Sequence, residues 1–425
     1  MKNNNYPLSA ILGAVVGDAM GVPVEFQSRK SLSENPVVDM RGYGSHNQPS
    51  GTWSDDTSMT LCLLDSLANG LDYDDIMQKF LSWTDGTEYT PHGKVFDIGK
   101  TVLQAIYKYP KGIPATECGG KSEWDNGNGS LMRILPLAFH FGYGKKSFEV
   151  IHNVSSLTHS HKRSQIACGI YLSIVEWLLM FGTDREYITN GIKAAKRYYE
   201  SQSEYAEELK HFERLFKSDF KNLPQDAIKS SGYVVDTLEA VLWCLLNTDN
   251  YESCILKAVN LGQDTDTIAA IAGGLAGMYY GADAIPPKWL NQIARLDYIK
   301  ELCEKWYPRR LCSYIPFFEN IDKQELNKVY KFEGKLWQFV CDADNYRTYC
   351  PRTVPRDYNK NYGFYLLAEG NTTIKTADLE SLRAILDFIV YRENEVIGSW
   401  VECAENGLFL EMLKRLRTLA VSAKS

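Results

Sequence analysis

Two short acidic clusters, each set directly before an apolar helix, constrain this chain more than any other feature. The first is Gly51-Thr52-Trp53-Ser54-Asp55-Asp56-Thr57, leading into Met59, Leu61, Leu63, Leu64 and Leu67, with Gly70 as the expected helix stop. The second, far along the chain, is Asp264-Thr265-Asp266-Thr267, leading into the apolar run Ile268 to Tyr280. Adjacent carboxylates repel, and a helix N-terminus offsets only part of that cost. Ser, Thr and Asp are also the commonest N-caps, so either cluster alone reads as capping. A cap, however, uses one side-chain oxygen, and each cluster offers several. Brought together, Asp55, Asp56, Asp264 and Asp266 would carry four negative charges, which two divalent cations would cancel. Hydroxyl and carboxylate oxygens are hard ligands, suited to Mg²⁺ or Mn²⁺ rather than zinc. On a regular helix Asp264 and Asp266 point to different sides, so both face one metal only if Asp264 lies on a non-helical lead-in.

At 425 residues the chain is long enough for two or three domains and a large core. A net charge of −7 argues against nonspecific binding to nucleic acid or anionic membranes, which needs a basic face. The ten cysteines contain no CxxC, and several fall inside apolar runs, where they behave as small hydrophobes. A reducing compartment follows, and the expectation is a soluble, cytoplasmic monomer. Leu8 to Gly17 resembles a short signal-peptide core but has only Lys2 as a basic flank. The longest uncharged apolar run, Ile268 to Ala282, is too short to span a membrane.

In chain order, residues 9–21 predict a helix whose Gly13 and Gly17 permit close packing, ended by Pro23. Residues 35–50 are rich in Pro, Gly, Asn and Ser and predict a loop, placed where a lid over a site would sit. Helices are expected at 57–69, 73–83 and 95–108. Asn126 to Ser130 is expected to open a helix over Leu131 to Leu135, where backbone N–H groups and Arg133 could cradle a phosphate, although a plain turn is the simpler reading. His159-Ser160-His161 suits capping or a pocket wall better than a metal. A helix follows from Ser164 to Phe181, then a solvated helical insertion over 196–230. Another buried helix runs through Trp243 to Leu246, and an amphipathic one runs from Pro286-Pro287 to Trp306. These elements predict an all-α domain over residues 1–315 with its site in a cleft between helices. After a linker at 316–324 the style changes. Residues 329–340 and 362–368 read as strands, and Leu382, Ile385, Leu386, Ile389 and Val390 as one buried helix face. The predicted fold class is mainly α: a helical bundle around a binuclear metal site, plus a small α+β domain over 325–425 with no catalytic constellation.

Six blocks carry a resemblance. They are Gly17 to Glu25 (GDAMGVPVE), Trp53 to Thr57 (WSDDT), Asn128 to Arg133 (NGSLMR), Leu157-Thr158-His159, Gly232-Tyr233-Val234 and Gly262 to Thr267 (GQDTDT). In this order they resemble the ADP-ribosylglycohydrolases, the family of the dinitrogenase-reductase-activating glycohydrolase. The resemblance implies an all-helical bundle holding two Mg²⁺ or Mn²⁺ ions on Ser54, Asp55, Asp56, Asp264, Asp266 and Thr267. Many members have Thr where this chain has Ser54, which keeps the oxygen. The implied reaction cleaves the bond between C1 of the distal ribose and a modified side chain. Arginine linkage is favoured, serine or acyl linkage is possible, and the substrate is an ADP-ribosylated protein or a small ADP-ribose conjugate. Asp55 or Asp56 would take a proton from water, and Glu25 resembles the family's mobile catalytic glutamate. Asn128, Gly129 and Ser130 would hold the diphosphate, and His159 would line the adenosine-ribose side. A non-catalytic ADP-ribose-binding or structural member, or a metallophosphatase, are the alternatives. Residues 325–425 lie outside the family pattern.

Overall fold

Glycine-punctuated apolar sequences build the centre of the molecule. The structure, a computed structural model, describes residues 6–141, 147–349 and 371–422. Its first long helix, α1 (Tyr6–Gly21), lies along α6 (Thr265–Tyr280), and the contact is backbone against backbone. A Cβ built on Gly13 would fall 2.2 Å from the Gly273 carbonyl oxygen, and one on Gly17 would fall 2.0 Å from that of Ala269. Any side chain at either position would push the helices apart. That closeness matters because each helix carries part of the acidic centre: Asp18 within α1, Asp264 and Asp266 at the start of α6.

Around this pair pack α2 (Asp55–Leu67), α3 (Lys162–Phe181), α4 (Val234–Leu246), α5 (Tyr251–Val259) and α7 (Leu296–Cys312). Among the described residues there is no strand, only isolated bridges such as Gly127 to Tyr233 and Gly120 to His159, which tie loops together near the site. The segments Tyr6–Val24 and Lys162–Phe181 are long and apolar enough to cross a membrane, yet are 94% and 67% buried inside the bundle.

Several local expectations need correction. α1 runs on into a 3₁₀ turn over Val22–Val24 with Pro23 inside it, because proline is tolerated in a first helical turn. α2 ends at Leu67, and Gly70 follows at φ +115, one position later than a simple stop would place it. The helix expected over 95–108 begins only at Lys100, since Gly99 is its N-cap and Asp97 sits at φ +56. Residues 131–135 form turns instead of a helix, and the helix follows at Leu137–His140. The amphipathic stretch from Pro287 breaks in two, Pro287–Leu290 and α7, because Arg295 takes a left-handed conformation. The insertion over 196–230 takes in the end of the helix Arg185–Glu200 and a short helix at Ala206–Leu209, and is otherwise 3₁₀ turns and loop.

The largest correction lies at the C-terminal end. Residues 329–340 are not a strand: Asn327–Lys331 is a 3₁₀ turn, and Gly334–Tyr349 is a helix, α8. Its buried positions Leu336, Phe339, Val340 and Ala343 follow helical spacing, which outweighs the aromatic and β-branched content that suggests a strand. The strand expected at 362–368 falls outside the described residues. The stripe after Asp378 does form a helix, α9 (Leu379–Arg392), whose N-cap Asp378 accepts the Ser381 N–H at 2.8 Å. α10 (Leu408–Ser422) packs on α7 and on the short helix Ile315–Glu319, α8 packs on α7, and α9 lies against α8 and α10. Phe318, Phe339 and Phe409 meet with ring centroids 4.8 to 5.5 Å apart.

Candidate metal centre and active site

Asp18 organises the first half of the site. It is fully buried on α1 and aimed at the start of α2. Its two carboxylate oxygens accept the Ser54 N–H at 3.0 Å, and Oδ2 also accepts from the Thr57 N–H at 3.1 Å and the Thr57 hydroxyl at 2.5 Å. The orphan donors of a helix N-terminus are thereby satisfied from another helix, which fixes the orientation of Asp55 and Asp56. Ser54 caps α2 in the ordinary way, accepting the Asp56 N–H at 3.3 Å, and lies 3.2 Å from Asp56 Oδ2.

The second half sits on α6. Asp264 has φ −89 and ψ 74 and makes no capping bond, so it is the non-helical lead-in that the spacing requires. Instead its Oδ2 accepts from the Asn128 side-chain amide at 2.8 Å, which also donates to Thr237 Oγ1 at 2.9 Å. Asp266 Oδ1 accepts the Thr267 N–H at 2.9 Å, and the Thr267 hydroxyl donates to Asp56 Oδ2 at 3.1 Å, joining the two clusters. Single carboxylate oxygens of Asp18, Asp56 and Asp266 lie within 4.8 Å of one another.

Glu25 belongs to this centre, not to a loop outside it. It is buried, and one of its oxygens falls within 4.8 Å of ligand atoms on His46, Asp97 and Asp266. His46 Nε2 is hydrogen-bonded to Glu25 Oε2 and stands 3.7 Å from Asp97 Oδ2. The turn that carries Glu25 is clipped to the segment before α6 by a reciprocal pair of bonds. Phe26 N–H donates to the Gln263 carbonyl and Gln263 N–H to that of Gln27, each at 2.7 Å, with Phe26 and Gln263 both at positive φ.

The electrostatics are those of a site short of positive charge. Burial pushes Asp55, Asp56 and Asp266 well above the usual carboxylate range, and repulsion from neighbouring carboxylates adds to it. Burial likewise lifts Asp264, with the Asn128 bond working against it. Asp18 is raised to about 6 by burial, against the pull of its Thr57 and Ser54 bonds. Glu25 is pushed up to about 8 by burial, against the His46 bond, and that same bond raises His46. No Lys or Arg pairs with these carboxylates among the described residues. Asp56 Oδ1 and Asp266 Oδ2 are buried without any hydrogen-bond partner. A buried carboxylate oxygen left unpaired is costly, and two of them pointing into one acidic, hydroxyl-rich centre fit hard divalent cations. The donor set of the two clusters therefore fits a metal, whose binding would displace protons.

Other predicted residues are placed differently from expectation. The Asn128 side chain is spent on Asp264. Ser130 is fully buried, accepting from Ser155 Oγ at 2.9 Å and lying 3.5 Å from Cys168 Sγ. Gly129 lies against the His159 ring. Arg133 cradles nothing at the surface; it is wholly buried, donating to Val154 O at 3.1 Å and Thr158 Oγ1 at 2.8 Å. His161 caps α3 by accepting the Arg163 N–H, and His159 is a buried wall beside the 127–129 loop. Asp18, His46 and Asp97 also belong to the centre, outside the two acidic clusters of the sequence. A lone acid in an apolar helix could have signalled Asp18, and an acid shortly before a glycine-capped helix could have signalled Asp97. Nothing local singles out His46.

Over most of its length the chain is similar to known proteins. The ADP-ribosylglycohydrolase family model matches residues 7–314. The ADP-ribosylarginine hydrolase Tri1 of Serratia proteamaculans is 34% identical over 302 residues, 70% of this chain and 78% of the relative. The ADP-ribosyl-[dinitrogen reductase] glycohydrolase of Rhodospirillum rubrum is 34% identical over 291 residues, 67% of this chain and 89% of the relative. A solved structure described as an ADP-ribosylglycohydrolase-related protein complex superposes with a TM-score of 0.60 at 28% identity, over 73% of this chain and 99% of the other. An acidic centre assembled from two helix starts, within a match of this length, makes the chain a member of the ADP-ribosylglycohydrolase family and hence a hydrolase.

Proposed function

We propose that the protein removes ADP-ribose from modified arginine side chains by hydrolysing the bond to C1 of the distal ribose. The observation that carries this reading is the buried carboxylate centre with its two orphaned oxygens, Asp56 Oδ1 and Asp266 Oδ2. A scaffold that only bound ADP-ribose would have no use for so much uncompensated charge. Arginine linkage is favoured because two relatives above 30% identity are named ADP-ribosylarginine hydrolases.

Ser54, Asp55, Asp56, Asp264, Asp266 and Thr267 would hold two Mg²⁺ or Mn²⁺ ions. Such ions supply Lewis-acid charge to ribose hydroxyls and water in a reaction with an oxocarbenium-like transition state. The remaining work falls to the chain. Asp18 holds the start of α2 in place, and Asn128 holds Asp264. Asp55 or Asp56 accepts a proton from the attacking water. Glu25 faces Asp266 at the edge of the centre, and the 35–50 loop brings His46 over it to bond its carboxylate. With the Asn128 side chain held by Asp264 and Ser130 buried, the backbone of the 127–129 loop, beside His159, receives the ADP-ribose moiety. The reaction takes place in the cytoplasm, on a monomer.

Supplying arginine-linked, serine-linked and acyl-linked ADP-ribose side by side tests the substrate. Release of free ADP-ribose from the arginine adduct at least ~10-fold faster than from the others is expected, the scale of about 1.4 kcal/mol in transition-state recognition. Faster release from the serine adduct would overturn the assignment.

A further inference from the structure

Arg133 is a buried cation that the proposed chemistry does not use. It shows no exposure, packs over the Phe80 ring at 4.9 Å, and has no carboxylate partner among the described residues. Its Nη2 donates to Val154 O and, at 2.8 Å, to Thr158 Oγ1. Thr158 is equally buried, and its Oγ1 stands 3.0 Å from His159 Nδ1.

Donor counting settles the direction of that last bond. A guanidinium can only donate, so Thr158 Oγ1 is an acceptor toward Arg133. The hydroxyl has one proton, and His159 Nδ1 is the only acceptor within its reach among the described residues. Were Nδ1 to carry a proton, Oγ1 would accept twice, its own buried proton would be stranded and Nε2 would be an unpaired acceptor, two unmet groups where the alternative leaves only the Nε2–H. The network closes when Thr158 donates to a bare Nδ1. Burial, reinforced by the charge of Arg133, lowers His159 to about 3 and so disfavours the imidazolium as well. The ring proton is then on Nε2. That atom has no hydrogen-bond partner among the described residues, and it lies against the substrate loop: a Cβ on Gly127 or Gly129 would come within 3.5 Å of it.

We propose that Arg133 is a positioning residue: acting through Thr158, it holds His159 as the neutral Nε2–H tautomer. The consequence is a fixed hydrogen-bond donor, the Nε2–H, turned toward the 127–129 loop for an oxygen of ADP-ribose held there, an identity that rests on the substrate reading above. Glycine at 129 is required for this arrangement, because a Cβ there would fall 2.8 Å from His159 Cε1.

Nitrogen-15 NMR of histidine-labelled protein reads the tautomer directly, without catalysis. In the native chain His159 is expected to show a protonated Nε2 and an unprotonated, hydrogen-bonded Nδ1. Arg133→Met frees the threonine to accept, so Nδ1–H should enter the population and ADP-ribose affinity should fall by about 3- to 10-fold, the scale of one hydrogen bond. Arg133→Lys keeps a donor and should restore both. Thr158→Val serves the same purpose if the Arg133 variants do not fold: its Nδ1 signal should move to that of a nitrogen without a hydrogen bond, with the same loss of affinity. A native ring protonated on Nδ1 overturns the proposal before any variant is made. Variants that leave tautomer and affinity unchanged overturn it too, as does a tautomer change with no change in affinity. Failure of the native protein to bind ADP-ribose would instead defeat the substrate reading, with the tautomer still decided by the spectrum.

Discussion

Asp55 and Glu25 divide the chemistry at the level of single residues, though not as position alone predicts. Asp55→Asn preserves shape and removes one charge from the pair at the start of α2. It is expected to weaken Mg²⁺ binding and to cut kcat by at least ~10², the scale of losing a general base or a charge-stabilising contact. From its Pro-turned position Glu25 reads as lying outside both clusters, which would leave metal affinity untouched in Glu25→Ala. The geometry reverses that expectation, since Glu25 faces Asp266 and carries the His46 bond. Glu25→Ala should therefore lose metal affinity along with turnover. Calorimetric titration of Mg²⁺ into both variants separates the cases, and unchanged affinity in Glu25→Ala would put the residue back outside the centre. The acids and hydroxyls of the centre at 54–56 and 264–267 are legible because they stand there in sequence order. His46 and Asp97 are not, because their membership depends on loop paths and, for Asp97, on a left-handed backbone that no residue type announces.

Helix starts, rather than helices, are the working elements of this fold. α1 and α6 approach so closely that a Cβ on Gly21 would fall 2.3 Å from the Cα of Asp266, and the Thr265 hydroxyl bonds the Gly21 carbonyl at 2.8 Å. Gly21→Ala must therefore displace the backbone that carries Asp266. An overpacking cost of about 1–3 kcal/mol is expected, together with weaker metal binding, whereas a purely structural glycine would lower the melting temperature and leave affinity intact. Thermal melting with and without Mg²⁺ distinguishes the two. The close packing was readable from the spacing of Gly13 and Gly17. The 3₁₀ turn at Val22–Val24 and the late start at Lys100 were not, since proline and glycine mark a break without fixing which side of it becomes helical.

For the whole molecule, the family match ends at residue 314, yet the physical boundary is blurred. Arg310 Nε donates to Asp342 at 2.8 Å, the Tyr314 hydroxyl donates to the same oxygen at 2.6 Å, and all three side chains are buried. Removing the C-terminal helices strands Arg310 and uncovers Tyr314, Ile315 and Phe318. A truncation to residues 1–318 keeps every residue assigned to the centre, so it is expected to retain turnover of small substrates while melting at a lower temperature than the full chain. Loss of turnover in a truncated protein that is still folded by circular dichroism would give the C-terminal helices a part in the chemistry. In α8 aromatic residues mimic a strand, although the spacing of Leu336, Phe339, Val340 and Ala343 carries the helix. The central claim is that a divalent cation completes this carboxylate centre for hydrolysis, and cation at a hundred times Kd should add about 2.7 kcal/mol of stability per site. The most direct test is release of free ADP-ribose from ADP-ribosylarginine by chelated full-length protein, before and after Mg²⁺ or Mn²⁺ is returned. Near-zero release that recovers on adding the metal is the predicted result; full turnover by the chelated protein would contradict the account.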